Sequence, residues 1–521
     1  MSWRSTRAAA RLDTPARQVA VIDLGSNSWR LVVFTFVPGS WWKRTDELYE
    51  AVRIGAGMGT TGRLTESAIN RGLETLVVFE HFCASAGLTP DRVHVVATSA
   101  IRDAENRDEF LGLARKASPL RVEVLSADEE ARLGYVVAVN TSTLCDGAVL
   151  EIGGGSMQLI QVSDRRAREL CSVPLGAVRL TEELLPDDRP ARKKDLERVR
   201  ARVGETLDGV PWLADSGRRL VGIGGAVRNL AAAASSAAGQ NDIGAQGFVL
   251  TAEALAALIE ELAALEPDKR GGVSGIKPGR GDIILAAALT IEGVLQAGGF
   301  TGIEATEAGL REGVFFDREL FAGSEPLFED VRGAAVRNLA IQYESDLEHV
   351  DHVAELSLQM FDSLAEGGLL EPTEGERELL WAAAMLHDVG MTISYDDHHK
   401  HSRYLIVSAE LPGFDPRERA LIAQISRYHR KGAPKLGEMA SLARPGDEEL
   451  VARCSVILRL AEHLERGRDQ SVREVRLHGN GKGVDLHLEA AGDLTLPRWS
   501  VERYGDSEAF ERVFGRRLLI G

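Results

Sequence analysis

The sequence carries one short pattern twice. Val21-Ile22-Asp23-Leu24 is an apolar run with an acid near its end, Gly25-Ser26-Asn27-Ser28 is a turn, and Trp29-Arg30-Leu31-Val32-Val33 resumes the apolar run. Val149-Leu150-Glu151-Ile152, Gly153-Gly154-Gly155-Ser156 and Met157-Gln158-Leu159-Ile160 repeat it. Each copy reads as a strand ending at an acid, a turn through residues tolerant of positive φ, and a returning strand. Such a hairpin points backbone N–H groups and hydroxyls into one small space, which makes an anion cradle. A single copy is compatible with an ordinary tight hairpin. Two copies imply a duplicated α/β unit whose halves face one another across a cleft.

The length of 521 residues exceeds what one core supports and implies three or four domains. The expected boundaries are a disordered tail 1–18, a first α/β domain 19–133, a second 134–322, a helical domain 323–471 and a small α+β unit 472–521. The tail is rich in Arg and Ala and lacks the apolar centre of a signal peptide. No run of eighteen apolar residues occurs, so no membrane span is expected. Cys83, Cys145, Cys171 and Cys454 form no CxxC and read as buried reduced thiols of a cytoplasmic protein. A formal net charge of −17 argues against non-specific nucleic-acid binding and opposes a polyanion at long range. Any site for a polyanion must therefore be a local basic patch.

In the first domain a helix over Thr65–Ala86 leads to a strand over Val93–Ala97, followed by Thr98-Ser99-Ala100-Ile101-Arg102. Ligands sit beyond the carboxyl ends of strands in open α/β sheets, which makes the planar fork of Arg102 a candidate phosphate grip; the alternative is a surface salt bridge. Gly57 to Gly62 matches GxGxxG formally but reads as a turn. After a strand at Val122–Leu125, Ser126 and Glu129 fit a capping box, which leaves Glu130 free on the first helical turn. Glu130 is either a reactive acid or a favourable charge at a helix N-terminus. In the second domain a strand at Glu169–Val173, a polar helix at Arg189–Thr206, a strand, Gly turn and helix at Leu220–Leu230 and a helix at Ile283–Gln296 are expected. The C-terminal region reads as helices, including an apolar one at Leu379–Leu386, then a hairpin around Gly479-Asn480-Gly481 and a helix at Ser507–Phe514.

Asp23 to Ser28 followed by Arg30-Leu31-Val32-Val33 resembles the Ppx/GppA family of exopolyphosphatases and guanosine pentaphosphate phosphatases, within the actin, Hsp70 and sugar-kinase superfamily. Segments 97–106, 129–133, 174–181 and 309–313 carry the same resemblance. It implies an α/β protein of two actin-like, ribonuclease H-like domains facing a cleft, then an all-α HD-like domain and a small α+β unit. It further implies removal of terminal orthophosphate from inorganic polyphosphate, or hydrolysis of pppGpp, with Mg²⁺ and as a homodimer. By resemblance Glu130 activates water, and Asp23 and Glu151 hold the metal. Ser26, Asn27, Ser28, Arg30, Arg102, Gly154, Gly155, Ser156 and Arg179 hold the substrate. Two departures stand out: Glu151 replaces the family's Asp and Gln158 its Glu, which leaves a weakly active polyphosphate or ppGpp sensor as a rival reading. His349, the pair His387-Asp388, His429 and Glu462 resemble the HD phosphohydrolases, with Glu462 in place of the usual Asp; the resemblance implies either a second divalent cation or a structural or regulatory role for the cluster. Arg427, Arg430 and Lys431 form a basic patch suited to a polyphosphate channel; a plain solvated face is the alternative.

Overall fold

The computed structural model describes residues 15–240, 243–505 and 507–520. Most of the expected tail lies outside the described residues, and β1 (Arg17–Leu24) already takes in its last two positions. The chain divides into two compact units between Val331 and Arg332, with residues 243–244 grouped in the second. The first unit thus extends past Ala322. The reason is aromatic: Phe316, Leu320, Phe321, Leu327 and Phe328 pack into its core, and Phe328 stacks on Trp42 at 5.1 Å.

The first unit holds two mixed sheets. β2 (Trp29–Val37) and β3 (Trp41–Glu50) run antiparallel beside β1, while β4 (Val93–Ala97) and β5 (Val122–Val124) continue on its other side in parallel, giving the order β3-β2-β1-β4-β5. The second sheet comprises β6 (Gly147–Ile152), β7 (Met157–Ser163), β8 (Arg166–Val173), β9 (Leu220–Ile223), β10 (Val249–Thr251) and β11 (Gly302–Ala305), in the order β10-β11-β9-β6-β7-β8. Apart from the added edge strand β10, the second order reproduces the first, with β6 in the place of β1. The registers agree as well: Asp23 lies opposite Arg30 and Glu151 opposite Gln158. This is the duplicated, actin-like α/β architecture that the paired loops predict.

Each sheet has its own core on its outer face. A third core is shared: Val21, Phe34 and Val96 of the first sheet meet Val149, Ile160 and Val221 of the second through the helices Ala127–Thr141 and Leu310–Phe315. The expected boundary at 133/134 falls inside the first of these helices, because its apolar faces belong to both halves. Gly57–Gly62 is one turn of helix, Met58–Thr61, between glycines at φ 78° and 67°, a conformation glycine adopts without strain.

The second unit packs the helices Leu347–Glu366, Glu376–Leu386, His398–Ser408, Pro416–Arg427 and Asp447–Leu464 around one core. β12 (Val472–Gly479) and β13 (Val484–Ala490) form the expected hairpin. Two elements add to it: the helix Thr495–Tyr504, and β14 (Leu518–Ile520), which pairs in parallel with β13. Val472, Val475, Val484 and Phe510 join the helical core, so this hairpin has no core of its own. The four cysteines are free; Cys83 and Cys454 are buried, but Cys145 is exposed. No described helix is long and apolar enough to cross a membrane.

Candidate active site

The two cradles meet. A Cβ added to Gly154 would lie 2.6 Å from the Cβ of Ser26, and one on Gly155 would lie 2.9 Å from Ser99 Oγ. Ser26 and Ser99 share a hydroxyl hydrogen bond of 3.1 Å. Only glycine permits this approach of backbone to side chain. Both loops are tied from behind through their carbonyls. Ser26 O and Asn27 O accept from the N–H groups of Gly55 and Arg53 at 3.0 and 2.9 Å. Gly154 O accepts from Val178 N and Arg179 N at 2.9 and 3.1 Å, and Gly155 O accepts from Arg179 Nε at 3.0 Å. Arg179 therefore shapes the second loop.

One cavity, at the carboxyl ends of the central strands, is lined by Asp23, Ser26, Asn27, Ser28, Arg30, Glu130, Glu151 and Gly154 among the predicted residues. Gly155 and Arg179 line an adjoining pocket with Ser26 and Ser99. Ser156 is buried behind the loop, where its Oγ accepts from Gln158 Nε2 at 2.9 Å. Gln158 thus fills its position as a structural donor. Arg102 is placed differently from the expected phosphate fork. Its Nη1 donates to Glu130 Oε2 at 2.6 Å and its Nε to Asp103 at 3.2 Å. Its position just past β4 faces the first turn of the helix Ala127–Thr141, and that geometry makes it the counter-ion of Glu130.

The capping box forms as read: Glu129 N donates to Ser126 Oγ at 3.2 Å, and Ser126 N to Glu129 Oε2 at 2.8 Å. With Glu129 so engaged, Glu130 turns inward and is 5% exposed. Burial raises its pKa, with Arg102 opposing. Burial also raises Asp23, against Arg311 and Arg30, and it lifts Glu151 to about 8, with Glu130 and Asp23 adding to the rise. Glu151 Oε2 is buried without a hydrogen-bond partner among the described residues. The three carboxylates, which raise one another's pKa, bring oxygen ligands of the kind that suits Mg²⁺ to one cavity.

Facing the acids are four guanidinium groups, of which only Arg30 was singled out from the sequence. Arg228, Arg280 and Arg311 complete the lining. Arg311 Nη1 and Asn27 Nδ2 are buried donors with no acceptor among the described residues. Arg228 donates to the carbonyl of Glu307; burial, with Arg311 nearby, pulls its pKa to about 10. Arg280 lies so close over Gly225 that any side chain there would collide with its guanidinium. The signal for two of these was present: Gly224-Gly225-Ala226-Val227-Arg228 and Gly309-Leu310-Arg311 each place an arginine just after a strand and a glycine turn.

Comparison with known proteins agrees with this geometry. The Ppx/GppA phosphatase family matches residues 32–321, and its domain III matches residues 331–496. The chain belongs to the Ppx/GppA phosphatase family. Among its relatives, the guanosine-5'-triphosphate,3'-diphosphate pyrophosphatase of Vibrio vulnificus (strain YJ016) is 27% identical over 478 residues, which are 90% of this chain and 92% of that protein. The crystal structure of an exopolyphosphatase from Cytophaga hutchinsonii is 25% identical with a TM-score of 0.54, covering 60% of this chain and all of that one. An exopolyphosphatase-like protein is 26% identical with a TM-score of 0.52, covering 58% of this chain and 97% of its own.

In the region matched by domain III, the predicted His and acid residues converge. His349 Nε2 and His387 Nε2 lie 3.1 and 3.3 Å from Glu462 Oε2. Asp388 lies 3.6 Å from His387 and 3.9 Å from His429. His398, which was not selected from the sequence, joins them at 3.2 Å from Asp388. Two triads, His349-His387-Asp388 and Asp388-His398-His429, have ligand atoms within metal-binding reach of one another and share Asp388. The basic patch is partly engaged: Arg427 lies over Tyr428, Arg430 over Tyr395, and Lys431 lies 3.8 Å from Asp397.

Proposed function

We propose that this phosphatase cleaves the terminal phosphoanhydride of inorganic polyphosphate and releases orthophosphate. One observation carries the reading: Asp23, Glu130 and Glu151 face Arg30, Arg228, Arg280 and Arg311 in a cavity floored by two anion cradles. The terminal phosphoryl group rests on the two loops, and the arginines take the charge of the following phosphate, which supplies positioning and electrostatic stabilisation without a protein nucleophile. Glu130, held at one oxygen by Arg102, orients a water for in-line attack and takes its proton; a carboxylate raised by burial is better matched to that task near neutral pH. Mg²⁺ held by Asp23 and Glu151 would neutralise charge on the phosphoryl oxygens. The proposal includes a homodimer in the cytoplasm.

The second reading, hydrolysis of pppGpp to ppGpp, is favoured by the relative of that name, which aligns over nearly the whole chain. Both substrates end in the same phosphoanhydride. Phosphate release from long-chain polyphosphate and from pppGpp, each with and without Mg²⁺, separates them through their kcat/KM ratio. Glu130→Gln should lower kcat on the better substrate by about 10²-fold or more. An unchanged rate would remove Glu130 from the mechanism, and turnover of neither substrate would leave a sensor.

A further inference from the structure

We infer that Gly134 is a positioning residue: the side chain it lacks is the space that lets the acid of the second cradle be a glutamate. The inference rests on the reading above, in which Asp23 and Glu151 hold a divalent cation beside Glu130. Gly134 lies inside the helix Ala127–Thr141, four residues beyond Glu130 and therefore on the same face. Glycine is disfavoured in a helix interior, and nothing in the backbone calls for one, since Gly134 is not among the residues of positive φ. The reason lies across the packing. A Cβ on residue 134 would sit 3.0 Å from Glu151 Oε2 and 3.0 Å from Ile223 Cδ1. That same Oε2 is buried with no hydrogen-bond partner.

The duplication supplies the comparison. Asp23 and Glu151 occupy the same place in their sheets, yet Glu151 is one methylene longer. The extra length is accommodated where the helix has no side chain. Alanine at 134 would displace the carboxylate by a few tenths of an ångström, and displacements of that size at a metal or reaction centre are costly.

The test uses the full-length chain, with Mn²⁺ as probe, its free form followed by electron paramagnetic resonance; the Mn²⁺ lost in Glu151→Gln defines this site apart from the histidine cluster. Gly134→Ala and Glu151→Asp are each expected to weaken that site about tenfold or more. The double variant should return to within about threefold of the parent, because the new methyl fills the space left by the shorter acid. Adding Ile223→Val to Gly134→Ala should not rescue, since it relieves only the apolar contact. For phosphate release, Gly134→Ala should lower kcat at limiting Mn²⁺ while leaving KM for polyphosphate within about threefold. Losses that multiply in the double variant, or rescue by Ile223→Val, would overturn the inference, as would a parent protein without a Mn²⁺ site dependent on Glu151. If the parent binds Mn²⁺ but hydrolyses nothing, the hydrolase reading falls and the affinities alone decide the role of Gly134.

Discussion

Arg102 and burial pull the carboxyl of Glu130 in opposite directions. Burial favours the neutral acid, and the 2.6 Å bond from Arg102 favours the carboxylate. In Arg102→Leu burial and the charges of Asp23 and Asp103 act unopposed by Arg102, so the pKa of Glu130 rises further. A general base must be ionised, and the acid limb of the kcat/KM profile should therefore move to higher pH, by about one to three units for a lost ion pair. The rate deficit should be large at pH 6 and shrink toward pH 9. A uniform loss at all pH values would assign Arg102 to the substrate instead. Residue by residue, the acids and hydroxyls of the site were legible because each sits in a contiguous loop or on a first helical turn. Three of the four arginines were not, since Arg228, Arg280 and Arg311 come from separate elements whose convergence only the fold creates. The partner of Arg102 was hidden for the same reason: it is 28 positions away in sequence.

Among elements, the helix Ala127–Thr141 does several tasks at once. Its capping box engages Glu129 and thereby orients Glu130, while Gly134 accommodates Glu151 one turn on. Ser126→Ala should cost about 1 kcal/mol of stability, seen as a lower thermal midpoint, and should also reduce kcat, because the first turn carries the acid. Lower stability at unchanged kcat would mean that Arg102 alone orients Glu130. The capping box could be read directly from the sequence, as could the central strands with their continuous apolar runs. The short β10 and β14 could not: each has three residues, and neither stands before a capping box as β5 does. The helix Thr495–Tyr504 was also missed; its polar composition and internal Pro497 obscure a pattern that packing completes. The limits of the domains were legible only coarsely, because one helix and an aromatic segment serve packing on both sides of where composition changes.

At the scale of the molecule, burial makes the second unit sensitive to pH through one acid. In the second, Glu465 is buried, and its pKa is raised to about 7 by burial, with Asp469 and Glu462 adding to it. A carboxyl with a raised folded-state pKa holds its proton more tightly when folded, so its contribution is present at low pH and is lost as pH rises through about 7. Glu465→Gln keeps the neutral form at every pH. It should raise the thermal midpoint of this unit at pH 8, by about 2–4 °C for each kcal/mol recovered, with little change at pH 5. An equal shift at both pH values would reject the titration of Glu465 as the cause.

The first unit is governed by the core that its two sheets share. Phe34 of one half stacks at 4.2 Å on Phe315, which ends the short helix Leu310–Phe315 that carries Arg311. Swinging the halves apart would wet that aromatic seam, at a cost of several kcal/mol for side chains of this size. The two halves are therefore held as one body, and whatever reaches the cavity between the cradles does so without their parting.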